Sequence, residues 1–119
     1  MAKLSTIQKR NNLNTIYRSA EKGPGGGYHS YTVMDADGTK VVAQIEFQKG
    51  ARNDPNARHG VLDADLLEIV RDRLTAFNKG EFATRENACA ITHIEEAIMW
   101  MAKRADDRAE RGVLGTYNK

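Results

Sequence analysis

Cysteine is almost missing from this chain of 119 residues: Cys89 stands alone, which excludes an intrachain disulfide framework and every zinc site built on several cysteines. A lone thiol fits a reducing compartment. Proline is nearly as scarce, with two residues, and 40% apolar and 29% charged side chains describe a globular chain rather than a disordered or fibrous one. No apolar run approaches the ~18 residues of a membrane span, and the opening MAKLSTIQKR lacks the apolar segment of a signal peptide. A protein that stays in the cell that makes it is therefore expected. Charge of one sign is not in excess either: 18 basic against 16 acidic side chains give +2, which excludes a polycation that coats nucleic acid. Any anion site has to be local. At this length a single domain, 1–119, is expected, because ~100–150 residues is the usual domain size and a split would leave two pieces short of a core.

Local asymmetry is present in two places. Residues 1–23 hold Lys3, Lys9, Arg10, Arg18 and Lys22 against Glu21, and residues 103–111 hold Lys103, Arg104, Arg108 and Arg111 against Asp106, Asp107 and Glu110. The first thirteen residues show neither helical nor strand periodicity and receive no assignment. The stretch NTIYRSA, 14–20, is rich in strand formers and runs into the Lys22–Gly27 loop. Asp37-Gly38 lies between two alternating runs over 28–48 and suits a two-residue type I' turn. That turn pairs Met34 with Val41, Thr32 with Ala43, Ser30 with Ile45 and Tyr28 with Phe47. One face of the ribbon then carries Tyr28, Met34, Val41, Ala43, Ile45 and Phe47, and the other His29, Tyr31, Gln44, Glu46 and Gln48.

After a polar loop, Asp63 is placed to cap a helix, with Leu62 and Leu67 spaced as a hydrophobic staple. Leu62, Leu66, Ile69, Val70, Leu74 and Phe77 keep helical spacing until Lys79-Gly80. A second helix starts near Thr84, with apolar spacing through Ala88, Ile91, Ile94, Ile98 and Met101 or Ala102, and Gly112 ends it. The short link makes the pair an antiparallel hairpin. At ~1.5 Å per residue the first helix spans ~25 Å and the second ~40 Å, so the turns bearing Arg104, Arg108 and Arg111 project past the partner helix. A neighbouring subunit accounts for such an end better than solvent does. The fold class expected is α+β: an N-terminal antiparallel ribbon or small sheet in 1–61, a long helical hairpin in 62–112, oligomeric through the helices, and a tail in 113–119.

The stripe Ile91, Ile94, Ile98, Met101, Arg104, Arg108, Arg111 stays on one helix face while arginine replaces aliphatic residues. Guanidinium groups one turn apart suit bidentate capture of phosphate oxygens, and a solvated face with Asp107 paired to Arg111 and Lys103 is the plainer reading. Asn87 is either a helix cap or a group that reads a purine edge. Phe77 and Phe82 flank the helical turn, where an aromatic is usually core and, on a face left open, stacks on a base. Asp35, Asp37 and Gly38 do not make a calcium loop, because the glycine falls at position four rather than six. Cys89 and His93 are one turn apart with no second pair, which reads as a buried thiol and an interfacial histidine rather than a metal site. No Walker loop, no Gly-x-Ser-x-Gly elbow and no nucleophile with a matching base occur, so neither a cofactor nor an enzyme is expected.

The segments Gln44-Ile45-Glu46-Phe47-Gln48, LLEIVRDRLTAFNKGEF and RENACAITHIEEAIMWMAKRADDRAERGVLGT together resemble the phage-encoded Thoeris anti-defence sponges of the first type. Their helical hairpin is similar to that of the second anti-CBASS sponge. The resemblance spans 28–116, and the Arg-Glu-Asn start with the Arg-x3-Arg-x2-Arg-Gly-Val end carries most of its specificity. It implies sequestration of bacterial immune nucleotide signals without cleavage, in the host cytoplasm: glycocyclic ADP-ribose above all, and in some members cyclic di- or trinucleotides. The family's ligand-contacting phenylalanine falls on Phe77, its asparagine on Asn87 and its two phosphate-binding arginines on Arg104 and Arg108. It also implies a homodimer through the helices and, in some members, a trimer of dimers. At Lys49-Gly50-Ala51-Arg52 the chain departs from the Gly-Pro that many relatives carry, and Arg52 and Arg58 are the basic residues of that loop on which a second, trinucleotide site would fall. A small-molecule partner is thus expected, with no membrane and no nucleic acid. The alternative from another class is a small helical nucleic-acid-binding or phage accessory protein.

Overall fold

A computed structural model describes residues 1–10 and 13–119, and these group into two compact units, 1–61 and 62–119. Asn11 and Asn12, in the stretch that received no assignment, lie outside the described residues.

In the first unit four antiparallel strands lie in chain order: β1 (Ala2–Lys3), β2 (Asn14–Arg18), β3 (Ser30–Asp35) and β4 (Val41–Glu46). β1 rests on the end of β2, with Ala2 opposite Arg18 and Lys3 opposite Tyr17. Two residues are too few to leave a periodicity, so only the partner strand reveals them. β3 and β4 meet with Met34 opposite Val41, as the alternation suggests, but a bulge at Val42 then shifts every later pair. Val33 faces Ala43, Tyr31 faces Ile45, Thr32 faces Gln44 and Ser30 faces Glu46. One extra residue turns each following side chain to the opposite face. The face expected to carry Tyr28, Met34, Val41, Ala43, Ile45 and Phe47 is therefore corrected: Ala43 and Ile45 keep company with Tyr31, Val33 and Ile16, and Met34 and Val41 lie opposite.

Polar chemistry explains the shift. On the second face the Thr32 hydroxyl donates to Gln44 Oε1 at 2.6 Å and the Ser30 hydroxyl to Glu46 Oε1 at 2.9 Å, while Gln44 Nε2 donates to the same Glu46 oxygen at 2.7 Å. The unbulged register would break this ladder. The apolar face is closed by Tyr31 and Phe47 in edge-to-face contact, centroids 5.7 Å apart. The turn also differs from the type I' expectation. Asp37 does not adopt positive φ, and only Gly38 does (71°), so a four-residue loop replaces the two-residue one. Asp35 holds it, its Oδ1 accepting the amide of Thr39 at 2.9 Å and that of Lys40 at 3.2 Å. Those amides, Thr39 first, lower the Asp35 pKa below the usual aspartate value. Beyond β4 the chain adds single bridges, Phe47 to Val61 and Lys49 to Arg58.

The second unit is a hairpin of α1 (Asp63–Asn78) and α2 (Arg85–Glu110). The cap of α1 is Leu62, not Asp63 as expected. The Leu62 amide donates to Asp65 Oδ2 at 2.8 Å, so the third helical residue reaches back while Asp63 contributes only its charge to the first turn. Thr84 caps α2 by accepting the Asn87 amide at 3.0 Å. Asn78 Oδ1 accepts the Thr84 amide at 3.0 Å, tying the end of one helix to the start of the next. Arg71 sets the register through its contact with Glu95, Nε to Oε2 at 2.8 Å, and that hydrogen bond raises the Arg71 pKa. Leu66, Leu67 and Leu74 on α1 and Ile91, Ile94 and Ile98 on α2 are half-buried, and neither helix holds a fully buried residue. No helix among the described residues is long and apolar enough to cross a membrane.

Candidate functional site

With Arg71 beside Glu95, the start of α1 lies level with about Lys103, so α2 runs on past its partner by roughly two turns. Arg104, Arg108 and Arg111 lie on that extension, one turn apart in succession. Their surroundings differ. Arg111 Nε contacts Asp107 Oδ2 at 3.0 Å and its Nη1 donates to the Lys119 carbonyl at 2.7 Å, so its charge is countered as the plainer reading expected. Arg108 Nη2 donates to the carbonyls of Val113 at 3.1 Å and Thr116 at 3.3 Å. Both acceptors are neutral and leave the charge of Arg108 intact. Arg104 is exposed, and no hydrogen bond or ion pair is found for its guanidinium among the described residues.

At the other end of the hairpin, Phe77 is 43% and Phe82 68% exposed, which corrects the core placement usual for such aromatics. The Arg73 guanidinium lies 4.9 Å from the Phe77 ring centroid and covers one face of it. Arg73 was not visible as a partner in the pattern, although its i, i+4 spacing to Phe77 is the signal that would have found it. Asn87 is not itself the cap. Thr84 fills that role by accepting the Asn87 backbone amide, and Asn87 Nδ2 donates to the Phe82 carbonyl at 3.4 Å. Cys89 is exposed rather than buried, and His93 lies 3.8 Å from Glu96. Among the described residues no three His, Cys, Asp or Glu side chains are grouped to hold a metal ion.

The four residues do not converge within one chain. Asn87 and Arg104 are seventeen positions apart on one helix, a distance of about 25 Å. A cyclic nucleotide is far smaller than that. An open groove of about 390 Å³ midway along the hairpin is lined by Glu68, Arg71, Glu95, Ile98 and Met99 instead. In the first unit Arg58 lines a cleft of about 280 Å³ with Ser19, Glu21, His29, Ser30 and Lys49, and Arg52 is not among its lining residues. Arg58 is internally engaged, with Nη1 3.0 Å from Glu46 Oε2 and Nη2 donating to the carbonyls of His29 and Phe47. Glu46 is held below the usual carboxylate range, first by the Gln44 amide and then by Ser30.

Comparison with known proteins matches residues 39–106 to the family described as Acb2/Tad1, hairpin domain. The protein called Thoeris anti-defense 1, from Bacillus phage SBSphiJ7, is 44% identical over 97 residues, 82% of this chain and 66% of the relative. The chain thus spans just under two thirds of that relative's length.

Proposed function

Since the family match covers more than half of the residues, the chain belongs to the Acb2/Tad1 hairpin family, and from that premise we propose that it is a phage anti-defence protein that binds an immune nucleotide signal and holds it uncut. The observation that carries this reading is the pair Arg104 and Arg108: two guanidinium groups one turn apart, beyond the end of α1, one without a partner among the described residues and the other held only by neutral carbonyls. Two such groups suit the oxygens of a diphosphate or cyclic phosphate. Phe77, 43% exposed, supplies a stacking surface, and Asn87 supplies a side-chain amide for a base or ribose edge.

The ~25 Å between Asn87 and Arg104, the nearest members of the two groups, supports a pocket shared by two antiparallel copies, Phe77 and Asn87 from one and Arg104 and Arg108 from the other. The exposed Ile69, Val70, Met99 and Trp100 favour the same arrangement. Cations, an aromatic and an amide can hold a phosphorylated ring, and cleavage would need a poised base or nucleophile besides. In glycocyclic ADP-ribose titrations by calorimetry, Arg104→Ala is expected to weaken binding at least tenfold and Phe77→Ala to cost ~1–3 kcal/mol. Helical circular dichroism should not change. Heat denaturation should return the nucleotide unmodified. Unchanged affinity in both variants, or a hydrolysis product growing with time, rejects the reading. Tight duplex DNA binding with a steep salt slope would favour the nucleic-acid alternative.

A further inference from the structure

Resting on the nucleotide reading above, we propose that the segment Val113–Thr116 is a positioning element that fixes the Arg108 guanidinium for the phosphate. The argument begins at Gly112. This residue takes positive φ (71°), its amide donates to the Ala109 carbonyl at 3.1 Å, and the next amide, Val113, reaches back to the Arg108 carbonyl at 2.9 Å. That pair of bonds is a Schellman motif, which ends α2 and turns the chain back along the last helical turn. A second turn follows. The Thr116 amide and hydroxyl both donate to the Val113 carbonyl, Gly115 takes positive φ (77°), and the Asn118 amide donates to Thr116 Oγ1 at 3.2 Å.

The two turns place the carbonyls of Val113 and Thr116 on one nitrogen, Nη2 of Arg108. No hydrogen bond from Nε or Nη1 is found among the described residues, so both are left to donate to a ligand. Arginine loses much rotamer freedom when it captures a ligand, and a side chain already held loses less. Because the acceptors are neutral, the hold does not cancel the charge, in contrast to the carboxylate of Asp107 on Arg111. The segment therefore orders Arg108 without competing for the phosphate.

A double-mutant cycle tests this with glycocyclic ADP-ribose as the probe. A variant ending at Gly112 and the full-length Thr116→Val variant, which lacks the hydroxyl that joins the amide on the Val113 carbonyl and accepts the Asn118 amide, should each weaken binding about three- to tenfold. Thr116→Ser, which keeps the hydroxyl, should bind like the parent. In an Arg108→Ala background the truncation and Thr116→Val should have no further effect. Loss of the same size in both backgrounds overturns the proposal, because the segment would then act on the fold rather than through Arg108. Tighter binding after truncation also overturns it, by making the segment a competitor. If Arg108→Ala binds as well as the parent, the nucleotide reading of Arg108 itself has failed, and that result is distinct from the other two. The arginine Nε–H resonance of Arg108, ordered in the full chain and mobile in Thr116→Val, gives the ligand-free readout, and an unchanged resonance overturns the proposal.

Discussion

Three arginines on one helix face have three different chemistries, decided by what each guanidinium touches. A carboxylate on Arg111, two carbonyls on Arg108 and no described partner on Arg104 grade the residues from neutralised to free. Asp35 shows the same dependence on neighbours. Its carboxyl pKa is lowered chiefly by the Thr39 amide and then by Lys40, so the folded value lies under the unfolded one. The stabilisation it gives is complete above the unfolded value and disappears as pH falls through the folded one. Thermal melts from about pH 5 to 3 should therefore show the midpoint falling, with Asp35→Asn starting lower at pH 5 and falling less across the window. Glu46 shifts in the same direction, so some pH dependence should remain in that variant. Parallel curves for the two proteins would show that Asp35 does not contribute.

Gly60 illustrates how an element is fixed by close backbone approach. A Cβ built there would lie 2.4 Å from the Glu46 carbonyl oxygen and 2.6 Å from the Phe47 carbonyl carbon, neither of which can move without parting the Val61 segment from the end of β4. Gly60→Ala should lower stability by about 1–3 kcal/mol in urea unfolding, and Gly27→Ala, with only a His29 ring atom at 3.8 Å, should stay within about 0.5 kcal/mol. The helices were legible in the sequence because 16 and 26 residues repeat their pattern several times and Thr84 and Gly112 mark their limits. The sheet was legible as a hairpin but not in its register, since a bulge leaves no mark in an alternating pattern and Val42 resembles its neighbours. Asp63 drew the cap assignment because it precedes the apolar run, whereas Asp65, two residues on, accepts the hydrogen bond. The exposed aromatics and the turn around Arg108 were hidden for a third reason. They depend on what a single hairpin leaves uncovered and on two later glycines, neither of which is a local periodicity.

The span of α2 turns a question about residues into one about copies. If Phe77 and Asn87 of one chain face Arg104 and Arg108 of another across a two-fold axis, each dimer holds two equivalent pockets, and each pocket takes its aromatic and its cations from different chains. Phe77→Ala and Arg104→Ala homodimers are then defective in both pockets. In a mixed dimer both defects fall in the same pocket, and the other combines an intact Phe77 with an intact Arg104. Random pairing of equal amounts makes half the dimers mixed, so about a quarter of the parental pockets should be recovered. Calorimetry on co-expressed variants should report that fraction at parental affinity, whereas the two variants purified separately and assayed below the exchange rate should report none. A pocket within one chain gives the opposite result, because each subunit carries its own lesion whatever its neighbour. Recovery of no high-affinity sites after verified subunit exchange would place all four residues' work in a single chain, which the ~25 Å between Asn87 and Arg104 forbids for one small ligand, and the four-residue site would have to be abandoned.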